Sequence, residues 1–109
     1  MARQGVVSVL KDGKVALKVV AGCDGDRAKT LADVIRRDGR VLPVRDIYDI
    51  ARSRGFGCEE CLVVIGQDDE VFHQFDGRLP SPYRETFDDP LFNPRWDKGA
   101  ADFVEVVSL

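Results

Sequence analysis

Asp12 and Gly13 stand between two valine-rich runs, at residues 6–10 and 15–20. Asp-Gly accepts the positive φ angles of a type I′ turn, which joins two antiparallel strands through two residues. The sequence therefore predicts a β-hairpin near the start of the chain. Any fold of this protein must accommodate that antiparallel pair.

Two amphipathic helices are predicted after the hairpin. Asp26 is placed to cap the first helix, which ends near Asp38-Gly39. The second helix opens at Leu42-Pro43, since proline suits a first turn, and closes at Gly55. Their apolar stripes have helical spacing and comprise Ala28, Leu31, Ala32 and Ile35 in the first helix and Ile47, Tyr48, Ile50 and Ala51 in the second.

Three further strands are predicted, at residues 61–65, 71–75 and 103–107. The element order is then ββααβββ. Hairpin-connected strands around two consecutive helices indicate an α+β fold, with a largely antiparallel sheet and both helices on one face. We expect one domain over residues 1–109, with a long proline-containing loop between residues 76 and 101.

Charge and hydropathy exclude several classes of protein. The chain has 109 residues, with 16 basic against 19 acidic side chains, and its longest apolar runs are too short for a membrane span. A basic stretch at 27–54 and an acidic one at 67–90 are expected to be solvated helix faces and turns. An acidic chain argues against nucleic acid as a partner. With no signal sequence at the amino terminus and three cysteines, we expect a cytoplasmic protein without a complete disulfide framework.

Four residues could ligate a metal. Cys58 and Cys61 have C-x-x-C spacing, and Cys23 with His73 could complete a Cys₃His zinc site. Against zinc, Leu62 stands where a knuckle often has glycine, and Cys61 is predicted to begin a buried strand. The expectation is therefore free thiols and no metal, and sequence alone leaves open whether the four residues converge.

Two other chemical sites are weighed. Cys23 with His73 as its base would make a cysteine-dependent hydrolase, but no catalytic motif surrounds either residue. The turn Gly22–Gly25 precedes a helix, where backbone amides could bind a small anionic, nucleotide-like ligand. Neither pattern matches a complete catalytic or cofactor motif, so no catalytic residue and no cofactor are expected. Cys23, in a connection, is expected to be dispensable for folding.

The long loop carries the most distinctive side chains. Its candidate binding residues are Tyr83, Phe92, Arg95 and Trp96. Tryptophan and arginine are enriched in binding hot spots, and neighbouring prolines lower the entropy lost on ordering. The leading hypothesis is a small non-enzymatic domain that binds another protein, or its own copy, through this loop and a sheet edge. The alternative account is that the aromatic side chains hold the loop on the core.

The first third of the chain resembles a group of small uncharacterised phage and bacterial proteins. The resemblance lies in Asp12-Gly13-Lys14-Val15 at the hairpin turn and in Asp24-Gly25 before a helix that contains Leu31. Proteins of that group typically carry Trp-Asp-Gly-Tyr-Pro at the second position, where this chain has residues 23–27 as Cys-Asp-Gly-Asp-Arg. The resemblance implies a phage-associated or accessory bacterial protein and assigns no site.

Overall fold

The computed structural model describes residues 3–59, 61–67, 70–73 and 101–109. Within them the chain forms five strands and two α-helices, which confirms the α+β class and the predicted element order. The elements are β1 (Gly5–Lys11), β2 (Lys14–Ala21), a 3-10 turn (Gly25–Arg27), α1 (Ala28–Asp38), α2 (Val44–Ser53), β3 (Leu62–Gly66), β4 (Val71–Phe72) and β5 (Phe103–Ser108).

The five strands form one sheet in the order β4-β3-β2-β1-β5. All neighbouring pairs are antiparallel except β1 and β5, which are parallel. The sheet is therefore largely antiparallel, as predicted. Its last strand returns to lie beside its first.

The predicted hairpin is present. Asp12 and Gly13 have φ angles of 53° and 79°, the positive values that a type I′ turn requires at both central positions. The register pairs Lys11 with Lys14 and shifts once between Val9 and Leu10. This shift is a local irregularity that leaves the pairing intact to Gly5 and Ala21.

Both helices bury the predicted stripes, with Ile50 only half-buried. The predicted cap of α1 is wrong. Asp26 lies in the 3-10 turn before the helix, and no side-chain hydrogen bond caps α1. The backbone carbonyl of Gly25 accepts a hydrogen bond from the Ala28 N–H instead. The 3-10 turn, and not the Asp26 carboxylate, therefore supplies the hydrogen-bond acceptor at the start of α1.

The third strand differs from its predicted bounds. It begins at Leu62, so Cys61 lies in the turn that precedes the strand. The difference is one residue, but it removes Cys61 from the apolar strand to which the sequence interpretation assigned it. For the fourth strand, the predicted residues 74 and 75 lie outside the described part.

The two faces of the sheet are both buried. The face that includes Val7, Val19 and Val64 packs with α1 and α2 in the larger core. Val6, Val20 and Val63 belong to a second cluster and are also fully buried. Both helices therefore lie on one side of the sheet, as predicted, and the near-continuous valine runs reflect burial on both sides.

Candidate three-cysteine site

The antiparallel pairing of β2 with β3 brings two distant segments of the chain together. Ala21, the last residue of β2, pairs with Leu62, the first residue of β3. The Gly22 N–H donates to the Cys61 carbonyl at 3.0 Å, which extends the pairing one step beyond the strands. Cys23 therefore emerges beside the segment that carries Cys58 and Cys61.

The segment before β3 is a tight, internally bonded turn. The Cys58 carbonyl accepts the N–H groups of Cys61 and Leu62 at 3.1 and 3.0 Å. Ahead of it, the Phe56 ring is fully buried, and the Gly57 N–H donates to the Asp24 carbonyl at 3.4 Å. These contacts hold the C-x-x-C turn against the connection that contains Cys23.

Three sulfur atoms meet at this junction. Cys23 and Cys61 form a disulfide, with their Cα atoms 6.3 Å apart, within the usual range for such a bond. The Cys58 Sγ lies 2.7 Å from the Cys23 Sγ and 2.8 Å from the Cys61 Sγ. Every sulfur is therefore adjacent to both others, so the three form a triangle. We call this group the three-cysteine site.

Backbone groups complete the surroundings of the sulfurs. The Cys58 N–H donates to the Cys61 Sγ at 3.2 Å, and the Cys61 Sγ lies 3.8 Å from the Cys23 carbonyl oxygen. All three cysteines are half-buried, and the exposed Glu59 lies between the two cysteines of the turn.

A shallow depression of about 330 Å³ lies beside the turn, lined by Tyr48, Asp49, Arg52 and Glu59. The Tyr48 hydroxyl is buried and has no hydrogen-bond partner among the described residues. Burial raises the pKa of Tyr48, Arg52 opposes that rise, and Glu59 adds to it. The Tyr48 side chain that lines the depression is therefore protonated and uncharged at neutral pH.

His73 is separate from the three-cysteine site. The group of metal-ligating side chains found in the described part of the chain contains Cys23, Cys58 and Cys61 only. His73 follows β4, and partial burial lowers its pKa. The structure thus brings together three of the four residues considered for zinc, and it does not place Cys23 and His73 in one such group.

The turn Gly22–Gly25 lacks the free glycine amides that an anion would need. The Gly22 N–H donates to Cys61, and the Gly25 N–H donates to the Arg3 carbonyl at 2.9 Å. A 3-10 turn of three residues follows, in place of the start of a long helix. These contacts give no support to a phosphate-binding turn.

The binding residues expected in the long loop are Tyr83, Phe92, Arg95 and Trp96. All four lie outside the described residues. Their role in binding a protein partner stays a prediction.

Comparisons with protein families, with curated proteins and with solved structures gave no match for this chain. Neither helix in the described part is long and apolar enough to cross a membrane.

Sequence reasoning identified every cysteine of the site as a free thiol and left open whether the cysteines converge. The argument against zinc relied on Cys61 beginning a buried strand, whereas Cys61 lies in the turn before it. The missing information was the partner of β3. Had β2 been assigned as its antiparallel neighbour, the ends of the two strands would have placed Cys23 beside the C-x-x-C turn.

Proposed function

We propose that this protein binds a thiophilic metal ion, Zn²⁺, through the thiolates of Cys23, Cys58 and Cys61. The observation that carries the proposal is the convergence of three sulfur atoms, all within 4.8 Å of one another. Cys23 is separated in the chain from Cys58 by 35 residues and from Cys61 by 38. Soft thiolate ligands favour Zn²⁺ over Mg²⁺ or Ca²⁺, which prefer oxygen.

The spacing of the sulfurs supports a mononuclear site. Zn–S bonds of about 2.3 Å in tetrahedral geometry place bound sulfurs roughly 3.8 Å apart. The Cys58 Sγ lies 2.7 and 2.8 Å from the other two sulfurs, so it would have to move about 1 Å away from each. After reduction, the Cys23 and Cys61 sulfurs would have to separate by roughly 1.7 Å to open room for one ion. Side-chain rotation can supply that movement, because both backbone segments are already held together.

The local charge also supports a cation. Asp24 follows Cys23, and Glu59 follows Cys58, so each segment carries a carboxylate next to a ligand. Negative side chains beside three thiolates attract a divalent cation and repel an anionic substrate. The fourth position of a tetrahedral ion would go to water or to another oxygen donor.

A nucleophilic cysteine is less well supported. It needs a base within hydrogen-bond reach, and the residue proposed for that role, His73, is not part of the site. A disulfide-exchange relay is also less well supported, because an attacking thiolate approaches along the S–S axis. Cys58 instead lies beside the Cys23–Cys61 bond, close to both of its sulfurs.

Metal analysis of the reduced protein tests the proposal. The protein is reduced, loaded with Zn²⁺, dialysed and analysed for bound metal, and we expect about one zinc ion per chain. Cobalt loading should give a thiolate charge-transfer band, which reports on sulfur ligands directly. Replacing Cys23, Cys58 or Cys61 with serine should abolish dialysis-resistant binding.

His73→Gln is the matched control. It removes an imidazole, a type of side chain that can ligate zinc, from a position outside the site, so the zinc content should be unchanged. Reduced wild-type protein that holds no zinc would contradict the proposal. Zinc that survives all three serine substitutions would also contradict it, since the metal would then be bound elsewhere.

A further inference from the structure

We infer that the metal site is controlled by oxidation: a low-molecular-weight disulfide converts the three-cysteine site to a Cys23–Cys61 disulfide with Cys58 as the remaining thiol, and the ion leaves. This inference rests on the proposed zinc binding. Its basis is that the sulfurs that would hold the ion also form a disulfide in this structure.

The bound ion and the disulfide exclude each other. Zinc ligands are thiolates, and the sulfurs of a disulfide carry no negative charge to donate. Oxidation of Cys23 and Cys61 therefore removes two of the three ligands, and Cys58 is the free cysteine that remains. One thiolate does not retain zinc against dialysis.

Neither the zinc-bound form nor the disulfide form requires the backbone to unfold. The Gly22 N–H donates to the Cys61 carbonyl, and the Gly57 N–H donates to the Asp24 carbonyl. These two bonds join the segment of Cys23 to the segment of Cys58 and Cys61 at two points. To accept an ion, the Cys58 sulfur must move about 1 Å away from the other two sulfurs. The Cys23 and Cys61 sulfurs, once reduced, must separate by roughly 1.7 Å. The conversion is therefore local, which allows it to be reversible.

The reaction balances as a two-electron oxidation. The zinc-bound protein, with three thiolates, reacts with one molecule of oxidised glutathione. One thiolate of the pair displaces glutathione thiolate and forms a mixed disulfide, and the other thiolate of the pair displaces the second glutathione. The products are the Cys23–Cys61 disulfide, the Cys58 thiolate, free Zn²⁺ and two glutathione thiolates, which take up protons according to pH.

The choice of cysteine pair makes the proposed oxidation specific. C-x-x-C spacing favours a Cys58–Cys61 bond, since those residues are neighbours in the chain. The structure instead joins Cys61 to Cys23, 38 residues away. The identity of the disulfide is therefore a direct test.

The experiment treats zinc-loaded and metal-free wild-type protein with oxidised glutathione. Zinc release is followed with a chromogenic chelator, thiols are then alkylated, and disulfides are mapped by mass spectrometry. Cleavage after Glu59 or Glu60 separates Cys58 from Cys61, so the partner of each cysteine is identified. We expect complete loss of zinc, a Cys23–Cys61 bond and an alkylated Cys58, with zinc binding restored by reduction.

The Cys58→Ser variant should form the same Cys23–Cys61 disulfide in the metal-free protein, and Cys23→Ser should not. Mapping of the wild type needs no variant to fold. A Cys58–Cys61 bond would overturn the assigned cysteine pair, and zinc retained after oxidation would overturn the redox control. Either result would leave the metal site standing. Reduced protein that binds no zinc would overturn both.

Discussion

Cys23 lies in a connection, as the sequence predicts, yet its sulfur is bonded to Cys61. The expectation that Cys23 is dispensable for folding therefore needs revision. A disulfide that closes a loop of this length typically contributes about 2–4 kcal/mol by restricting the unfolded chain. We expect Cys23→Ser to lower the free energy of unfolding of the oxidised protein by that amount.

Denaturant unfolding of both proteins, with and without a reductant, measures this effect. Under reducing, metal-free conditions the disulfide is absent from the wild type too, so the difference should shrink to below about 1.5 kcal/mol. An equal difference in both conditions would mean that the Cys23 side chain contributes through packing and not through its bond.

Tyr48 gives a prediction about pH. Its side chain is 2% exposed and its hydroxyl has no hydrogen-bond partner among the described residues. Because burial raises the pKa of Tyr48, the unfolded chain loses this proton at about pH 10, while the folded protein still retains it. The unfolded state is then favoured, so stability should fall as pH rises above about 10.

The Tyr48→Phe variant should lack that part of the pH dependence. At pH 7 it should be as stable as the wild type or more stable by up to about 1 kcal/mol, because it removes an unsatisfied buried hydroxyl. Unfolding by urea between pH 8 and 11 measures both effects. A large loss of stability at pH 7 would show that the hydroxyl has a partner.

Glycines at two connections are expected to tolerate alanine very differently. Gly13 has a positive φ of 79° with no atom within 4 Å of an added Cβ, so Gly13→Ala should cost only the backbone strain, about 1–2 kcal/mol. A Cβ on Gly25 would overlap the backbone nitrogen of Gly5. Gly25→Ala must therefore separate β1 from the 3-10 turn and should cost about 3 kcal/mol or more.

Thermal unfolding of the two variants tests this difference. Gly25 lies two residues after Cys23, so Gly25→Ala should also weaken zinc binding, whereas Gly13→Ala should not. Equal destabilisation by the two substitutions would mean that the close approach of Gly5 and Gly25 is not maintained in solution.

At the scale of the whole molecule, both faces of the sheet are buried. Val7 and Val19 face the helices, while Val6 and Val20 belong to the opposite cluster. Successive strand residues point to opposite faces, so adjacent buried valines require cover on both sides. This explains why the strands show runs of valine in place of a simple apolar-polar alternation.

The loop at residues 78–99 lies outside the described residues and carries a further prediction. From its aromatic and proline content we expect it to be ordered, with Trp96 partly buried and Arg95 on the surface. Arg95→Ala should change stability by less than about 0.5 kcal/mol, and Trp96→Ala should cost several-fold more. Ready tryptic cleavage after Arg84 or Arg95 in the native protein would contradict order in this loop.

Local chemistry was enough to predict the hairpin and the helices. The φ angles that Asp12 and Gly13 adopt, and the helical spacing of Leu31 and Ile35, depend on residues a few positions away. The three-cysteine site depends on β2 pairing with β3, and the parallel β1–β5 pair joins residues 98 positions apart, such as Gly5 and Phe103. Such pairings are selected by the packing of the whole core, because several strand orders satisfy the same local patterns. Tertiary structure therefore decided that Cys23 meets Cys58 and Cys61.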